Sequence, residues 1–337
     1  MSDLTKVPQS PDDLFRFIDS NAISSEKIVA PRYSYWKSVF RVFFRKRTNI
    51  FMIGVFVFMI LVAFVMPNFW PYNAMENVTN AKTFNLSPSK AMAFFKSAEG
   101  KAYLASNELA TDGPLKWILG TGSMGNSIFY GIIASSRTSL LLAVICAAIN
   151  MTVGIVIGAF WGYSKKLDVV LLVVYNIIAN VPYILLISVL VYVIGSGFWS
   201  FIFALTVTGW LSIAYFFRTQ VMIIRDREYS LASRCLGTPV RRVISKNILP
   251  FLTSVIVTLL ATELPSYISM EVFLSYIGVG LSATVPSLGR MIQQAQTAFM
   301  TYWWAFWPPV AVASLITIIL YLLGQNLADA SDPRTHM

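Results

Sequence analysis

From residue 49 onward the chain alternates long apolar runs with polar stretches, several of them basic. The first run is Asn49–Met66, stopped by Pro67. The second spans Thr138–Tyr163, with Ile128–Arg137 leading into it. No charged residue falls between Val169 and Phe217. That stretch is too long for one crossing, which takes about 20 residues, and suits two. Gly195-Ser196-Gly197 is the natural break, which gives Val169–Ile194 and Phe198–Met222. A fifth run covers Phe251–Gly278, and a sixth opens at Pro308-Pro309 and ends near Asn326. The pattern predicts an all-α polytopic membrane protein with six transmembrane helices.

The polar pieces set the orientation. Arg41, Arg45, Lys46 and Arg47 precede the first run, Lys165 and Lys166 follow the second, and a basic island fills residues 226–250. Positive loops stay on the cytoplasmic side, so both termini are expected there. The expected organisation is a cytoplasmic segment 1–48, a first span 49–66, an extracytoplasmic segment 67–127, a core 128–326 with five spans, and a cytoplasmic tail 327–337. The first segment lacks the character of a cleavable signal. Within it, Trp36–Arg45 has the spacing of an amphipathic helix lying on the bilayer. In the insertion 67–127, Lys82, Lys90, Lys96, Lys101 and Lys116 are offset by Glu76, Glu99, Glu108 and Asp112. Asn77 and Asn85 head Asn-x-Ser/Thr triplets, which matter only in a eukaryotic secretory pathway. Gly280–Thr301 forms a second extracytoplasmic segment, followed by an interfacial cluster of Tyr302, Trp303, Trp304 and Trp307.

Composition narrows the function. Of 337 residues, 56% are hydrophobic and 12% charged, and the net charge is +10. The charges cluster beside the spans, so they signal topology and not nucleic acid. Cys146 and Cys235 form no framework, and the single histidine, His336, removes chemistry built on a histidine base or histidine metal ligands. No GxxxxGK[ST] loop is present. No cofactor and no enzymatic activity are expected, and ATP, if used, must be hydrolysed by another subunit.

The island Asp226–Pro250 is unusually structured for an interhelical loop. Asp226 is expected to cap a first short helix, with Glu228 in its first turn. Gly237 suits a left-handed helix end. Thr238 then caps a second helix with Pro239 at its first position. Val240, Val243, Ile244 and Ile248 form the apolar face of that helix. Inside the spans, Gly154, Gly158 and Gly162 leave a smooth stripe for a close helix neighbour. Asn176 and Asn180 precede a kink at Pro182 and are candidates for a polar path. Glu263 and Glu271 lie two turns apart in the fifth span, at a depth where ionisable groups are costly. They line a substrate path, relay protons, or serve as hydrogen-bonded structural groups.

The island resembles the EAA loop of bacterial ABC importer permeases: EAA, three residues, Gly, nine residues, then I-x-L-P. The register is Leu231-Ala232-Ser233, Gly237, Asn247, then Leu249-Pro250. Leu231, Ser233 and Asn247 thus replace the usual Glu, Ala and Ile. Further matches are Leu119-Gly120-Thr121, Thr208-Gly209-Trp210, Arg227-Glu228-Tyr229, Glu271 through Gly280, Pro286-Ser287-Leu288-Gly289, and Leu323 through Arg334. Together they resemble the second permease subunit of oligopeptide and dipeptide ABC importers over residues 117–334. One departure is that Gly122 and Gly125-Asn126-Ser127 stand where the family has Asp and Gly-Arg-Asp. The resemblance implies a type I ABC importer permease fold in a bacterial plasma membrane. It implies a heterodimer with a homologous permease, two cytoplasmic ATPase subunits, and an extracytoplasmic lipoprotein that delivers peptide. It also implies that Arg227, Glu228, Tyr229, Ala232, Ser233, Leu236, Gly237, Thr238, Leu249 and Pro250 belong to a coupling helix seated on an ATPase. The alternative is a proton-coupled secondary transporter with Glu263 and Glu271 as its relay.

Overall fold

A bilayer offers backbone N–H and C=O groups no water, so apolar runs must satisfy them internally as helices. The computed structural model describes residues 35–69, 72, 81–106, 115–282 and 284–331. Residues 1–34, Glu76, Asn77, Glu108, Asp112 and the tail beyond Ser331, with His336, lie outside the described residues. The chain divides into two units, Met1–Ser38 and Val39–Met337. Only Tyr35–Ser38 of the first are described, as the opening turn of a helix.

That helix, α1 (Tyr35–Arg45), meets α2 (Arg47–Phe69) at a tight elbow. The insertion carries α3 (Pro88–Lys96) and α4 (Ala98–Ser106). Then come α5 (Ile128–Tyr163), α6 (Lys165–Ala179), α7 (Tyr183–Ile194) and α8 (Phe198–Arg225). The island forms α9 (Glu228–Cys235) and α10 (Val240–Arg242), which runs on as a π-helix, Val243–Ile248. The chain ends with α11 (Thr253–Tyr276), α12 (Leu288–Ala295) and α13 (Trp303–Ser331). Among the described residues α2, α5, α8, α11 and α13 are each long and apolar enough to cross a membrane. The pair α6–α7, bent by 78°, supplies a sixth crossing when taken together.

Three boundaries differ from the hydropathy reading. The helix of the second span starts ahead of Thr138, since α5 is continuous from Ile128 and has 36 residues. At 1.5 Å per residue that is about 54 Å, against a hydrocarbon core of about 30 Å. Arg137, which suggested a boundary, lies over the Phe64 ring of α2 at 5.8 Å. The third span does not merely kink at Pro182 but breaks there. The helix of the sixth span begins at Trp303, so Pro308 and Pro309 lie inside its first turns.

The Gly154–Gly158–Gly162 stripe of α5 faces α8. A Cβ at Gly158 would meet the Ala214 carbonyl oxygen at 2.5 Å, and one at Gly162 would meet that of Arg218, also at 2.5 Å. Small residues let the two backbones approach this closely. At one end of this pair Arg218 forms a bidentate ion pair with Asp168, and Trp161 donates to the same carboxylate at 2.8 Å. Arg225 donates to the Gly162 carbonyl at 2.8 Å.

The insertion has a small core of its own. Phe95 stacks on Trp117 with ring centroids 3.7 Å apart, beside Ala91 and Leu104. Thr121 ties it together, donating to the Thr83 carbonyl at 2.6 Å and accepting from the Leu86 N–H at 2.8 Å. Gly122 packs on Asn126. A Cβ at Gly122 would stand 2.7 Å from the Asn126 amide oxygen. Ser127 keeps the capping role an Asp would have, accepting from the Tyr130 N–H at 3.2 Å.

Candidate functional site

The break in the third span opens a cavity of about 410 Å³. Pro182 and Tyr183 line it from the break, Thr208 and Ser212 from α8, and Glu263 and Tyr267 from α11. Asn150 of α5 donates to the Tyr267 hydroxyl at 2.6 Å, and Tyr183 donates to the Leu205 carbonyl at 2.9 Å. Gly209 makes room for both, since a Cβ there would touch the Asn150 amide and the Tyr183 hydroxyl. Asn150 Oδ1 and Thr208 Oγ1 are buried without a partner among the described residues. Such groups are costly in an apolar interior, so this wall is suited to water or a polar solute. Asn176 and Asn180 do not contribute to it. Both are exposed outside the cavity lining, and the Asn180 amide folds back onto the Asn176 carbonyl.

Glu271 occupies a different environment from Glu263. It is completely enclosed, at 0% exposure, and does not line the cavity. Ser275 donates to its Oε1 and Ser139 to its Oε2, each at 3.0 Å. Ser139 also accepts from the Leu288 N–H at 3.2 Å, and Ser287 accepts from the Arg290 N–H at 3.1 Å. Gly289 also packs closely on Glu271, since a Cβ there would stand 2.7 Å from its Oε1. A carboxylate from α11 thus lies at the first turn of α12, where the helix dipole favours negative charge, and Ser139 links the two. The arrangement fixes α12 against α5 and α11 and leaves Glu271 no open face for a solute.

The island folds back on itself as a helical hairpin. Asp226 does not cap α9, as expected, but closes α8 and lies 3.3 Å from Arg225; Arg227 takes the cap position. Gly237 has φ +74°, the left-handed value its position requires. Thr238 does not cap α10, because the chain stays extended through Pro239 and the helix starts at Val240. Leu249 N–H bonds the Ile244 carbonyl at 2.9 Å, a five-residue step that widens the helix just before Pro250. Val243, Ile244 and Ile248 are buried against Phe217, Val221 and Ile224 of α8. Outward, α9 exposes Leu231, Ala232 and Cys235, and Leu236 follows at 85% exposure, with Arg241, Arg242 and Lys246 nearby. Asn247 donates to Ser233 Oγ at 2.7 Å, and Ser233 donates to the Tyr229 carbonyl at 3.0 Å.

Residues 154–337 match the family model described as binding-protein-dependent transport system inner membrane component. Residues 34–88 match the N-terminal TM domain of oligopeptide transport permease C. The chain belongs to this transport permease family. It is 42% identical, over 96% of its length and 97% of the relative's, to the oligopeptide transport system permease protein AmiD of Streptococcus pneumoniae. It is 28% identical to the oligopeptide permease protein OppC of Bacillus subtilis, over 96% of this chain and 98% of that one. Identity to the dipeptide permease protein DppC of the same organism is also 28%, over 97% and 94%.

As a permease, the chain makes its separate motif stretches intelligible. Glu271 and Ser275 of one stretch meet Gly289 of another at the start of α12. Two of the three departures in the EAA-like register, Ser233 and Asn247, bond to each other. Asn150, Tyr183, Tyr267 and Ser139 were missed from sequence. Asn150 carried a signal, a polar side chain deep in an apolar run, while the others gained meaning only from neighbours far along the chain.

Proposed function

We propose that this permease forms one half of the translocation path of an ATP-driven oligopeptide importer, with its basic end in the cytoplasm. The observation that carries the reading is the Asp226–Pro250 hairpin, which is anchored to α8 on one face and exposes an apolar edge on the other. Leu231, Ala232, Leu236 and Gly237 on that edge seat in an ATPase subunit, with Arg227, Glu228, Tyr229 and Thr238 around them. Ser233, Leu249 and Pro250 fix the angle between the two arms. The partner permease covers the apolar outer face of α6 and α7, where Val173, Ile177, Leu185 and Val189 are exposed. Asn176 and Asn180 share that face and meet the partner. The extracytoplasmic lipoprotein delivers peptide to the end carrying the insertion 67–127, and two ATPases bind the opposite end. The proton-relay alternative needs both acids on one wet path, and Glu271 is enclosed. Purification of the tagged chain tests the assembly. Co-purifying ATPases and a second permease are expected, and a chain isolated alone that still drives peptide uptake overturns it.

The two acids should separate in experiment. Glu263→Gln should slow uptake of peptides with a free ammonium group severalfold and leave thermal stability in detergent unchanged. Glu271→Gln should lower that stability by about 1–3 kcal/mol, because one donor loses its acceptor in a sealed site. Equal effects of the two on both measurements would reject the separation.

The Ser233–Asn247 bond should behave as a unit. Asn247→Ile alone places an apolar side chain against the Ser233 hydroxyl, and uptake per ATP should drop severalfold. Adding Ser233→Ala supplies the usual pairing of the family and should restore most of it, since residues in contact couple by about 0.5–3 kcal/mol. Additive losses in the double variant would show that the bond does not set the hairpin geometry.

A further inference from the structure

The helix α1 has three faces. Val39 and Phe43 are buried, at 0% and 7% exposure, so one face packs on protein. Phe40 and Phe44 point outward at 48% exposure each and stack with ring centroids 6.3 Å apart. Arg41 and Arg45 follow them in sequence and are exposed, which makes a cationic stripe beside the aromatic one. Trp36 and Lys37 repeat the pair one turn earlier in the sequence. Arg47 then begins α2, and no acidic residue occurs anywhere in residues 35–69. Among the described residues Arg41, Arg45 and Arg47 have no carboxylate partner. Lys46 differs, donating to Asn326 of α13 at 2.8 Å. It closes one side of a cleft of about 550 Å³ lined by Val42, Phe43, Lys46, Ser254, Thr258 and Asn326.

We propose that this elbow is a binding surface for anionic phospholipid. The aromatic stripe lies at the depth of the upper acyl chains, where amphipathic rings are favoured. Arg41, Arg45 and Arg47 stand at headgroup level, and each guanidinium offers planar donors that match a phosphate. The cleft beside Lys46 receives part of the lipid between α1, α11 and α13. A stripe serving only to orient the chain needs positive charge but no aromatic partner at the same spacing. The surface lies on the helix leading into the first span, so lipid bound there braces α1 against α11, the helix that carries Glu263. The inference does not depend on the identity of the cargo.

The test is native mass spectrometry of the purified complex from mixed micelles of phosphatidylglycerol and phosphatidylcholine. The native chain should retain phosphatidylglycerol preferentially. Arg41→Gln/Arg45→Gln, which keeps Lys46 and Arg47 as topology signals, should weaken that preference about tenfold. The Lys substitutions at both positions keep the charge but lose the planar donors, so they should retain only part of it. Phe40→Ala/Phe44→Ala should reduce retention of both lipids without changing their ratio. Inorganic phosphate at millimolar concentration should not displace the lipid. Should the double Gln variant fail to assemble, Arg41→Gln and Arg45→Gln singly are judged by the same ratio. An unchanged ratio in the charge variants, no preference in the native chain, or displacement by phosphate overturns the proposal.

Discussion

Peptide uptake should fall to background when Gly237 is replaced by proline, with the chain still inserted in the membrane. At this position φ is +74° and the N–H donates to the Arg234 carbonyl at 3.0 Å. Proline fixes φ near −65° and has no N–H, so it contradicts both. The turn between α9 and α10 must open, and the exposed edge Leu231–Ala232–Leu236 rotates away from the surface it is meant to fit. Gly237→Ala separates this effect from crowding. A Cβ at Gly237 meets nothing within 4 Å, so alanine costs only the left-handed backbone, roughly 1–2 kcal/mol. Uptake should therefore be reduced but measurable in the alanine variant and absent in the proline variant. Co-purification of ATPase subunits should follow the same order. Ala232→Glu should reach the same loss without touching the turn, by placing an unpaired charge on the apolar edge. Normal uptake by Gly237→Pro would remove the hairpin from the coupling mechanism.

Element type was readable because each span is a long run with a single physical requirement, the closing of its own hydrogen bonds in lipid. Span ends were less readable because polar residues there find partners invisible in a local window. Arg137 looked like a boundary, yet α5 runs through it, with the Phe64 ring beside its guanidinium. Pro308 and Pro309 looked like a start, yet helix α13 contains both, as membrane helices can when neighbouring groups satisfy the freed carbonyls. The hairpin was legible as two short helices with Gly237 at the joint, but its cap residues were each displaced by one. The two acids were legible as unusual and not as different. Their separation depends on Ser139 from α5, which donates to Glu271 and not to Glu263. Nothing in the spacing of Glu263 and Glu271 encodes that. The Ser233–Asn247 bond was hidden for the same reason: each residue read alone is only a departure from a motif.

The second large effect is expected where α5 and α8 touch. Replacing Gly158 by leucine should eliminate stable, folded permease from detergent extracts. Even a bare Cβ at Gly158 would stand 2.5 Å from the Ala214 carbonyl oxygen, 2.9 Å from Phe217 Cβ and 3.0 Å from Ala214 Cα. Two of these atoms are backbone in the middle of α8, so neither can rotate aside. Relief requires moving α8, and with it Gly209 at the cavity and Arg225 at the foot of the hairpin. Overpacking a core ordinarily costs about 1–3 kcal/mol. A clash against backbone over several side-chain atoms lies at or beyond that range, enough to unfold a marginally stable protein. Gly158→Ala should survive with a lowered melting temperature, because one methyl group demands a shift of only part of that size. Gly54→Leu is the control. Gly54 lies in α2 with nothing within 4 Å of a Cβ, so the same added volume enters lipid. Thermal unfolding in detergent should rank native and Gly54→Leu together, Gly158→Ala below them, and Gly158→Leu without a cooperative transition. If Gly158→Leu unfolds at the temperature of Gly54→Leu, the close approach of α5 and α8 is wrong, and the cavity wall built on it falls with it.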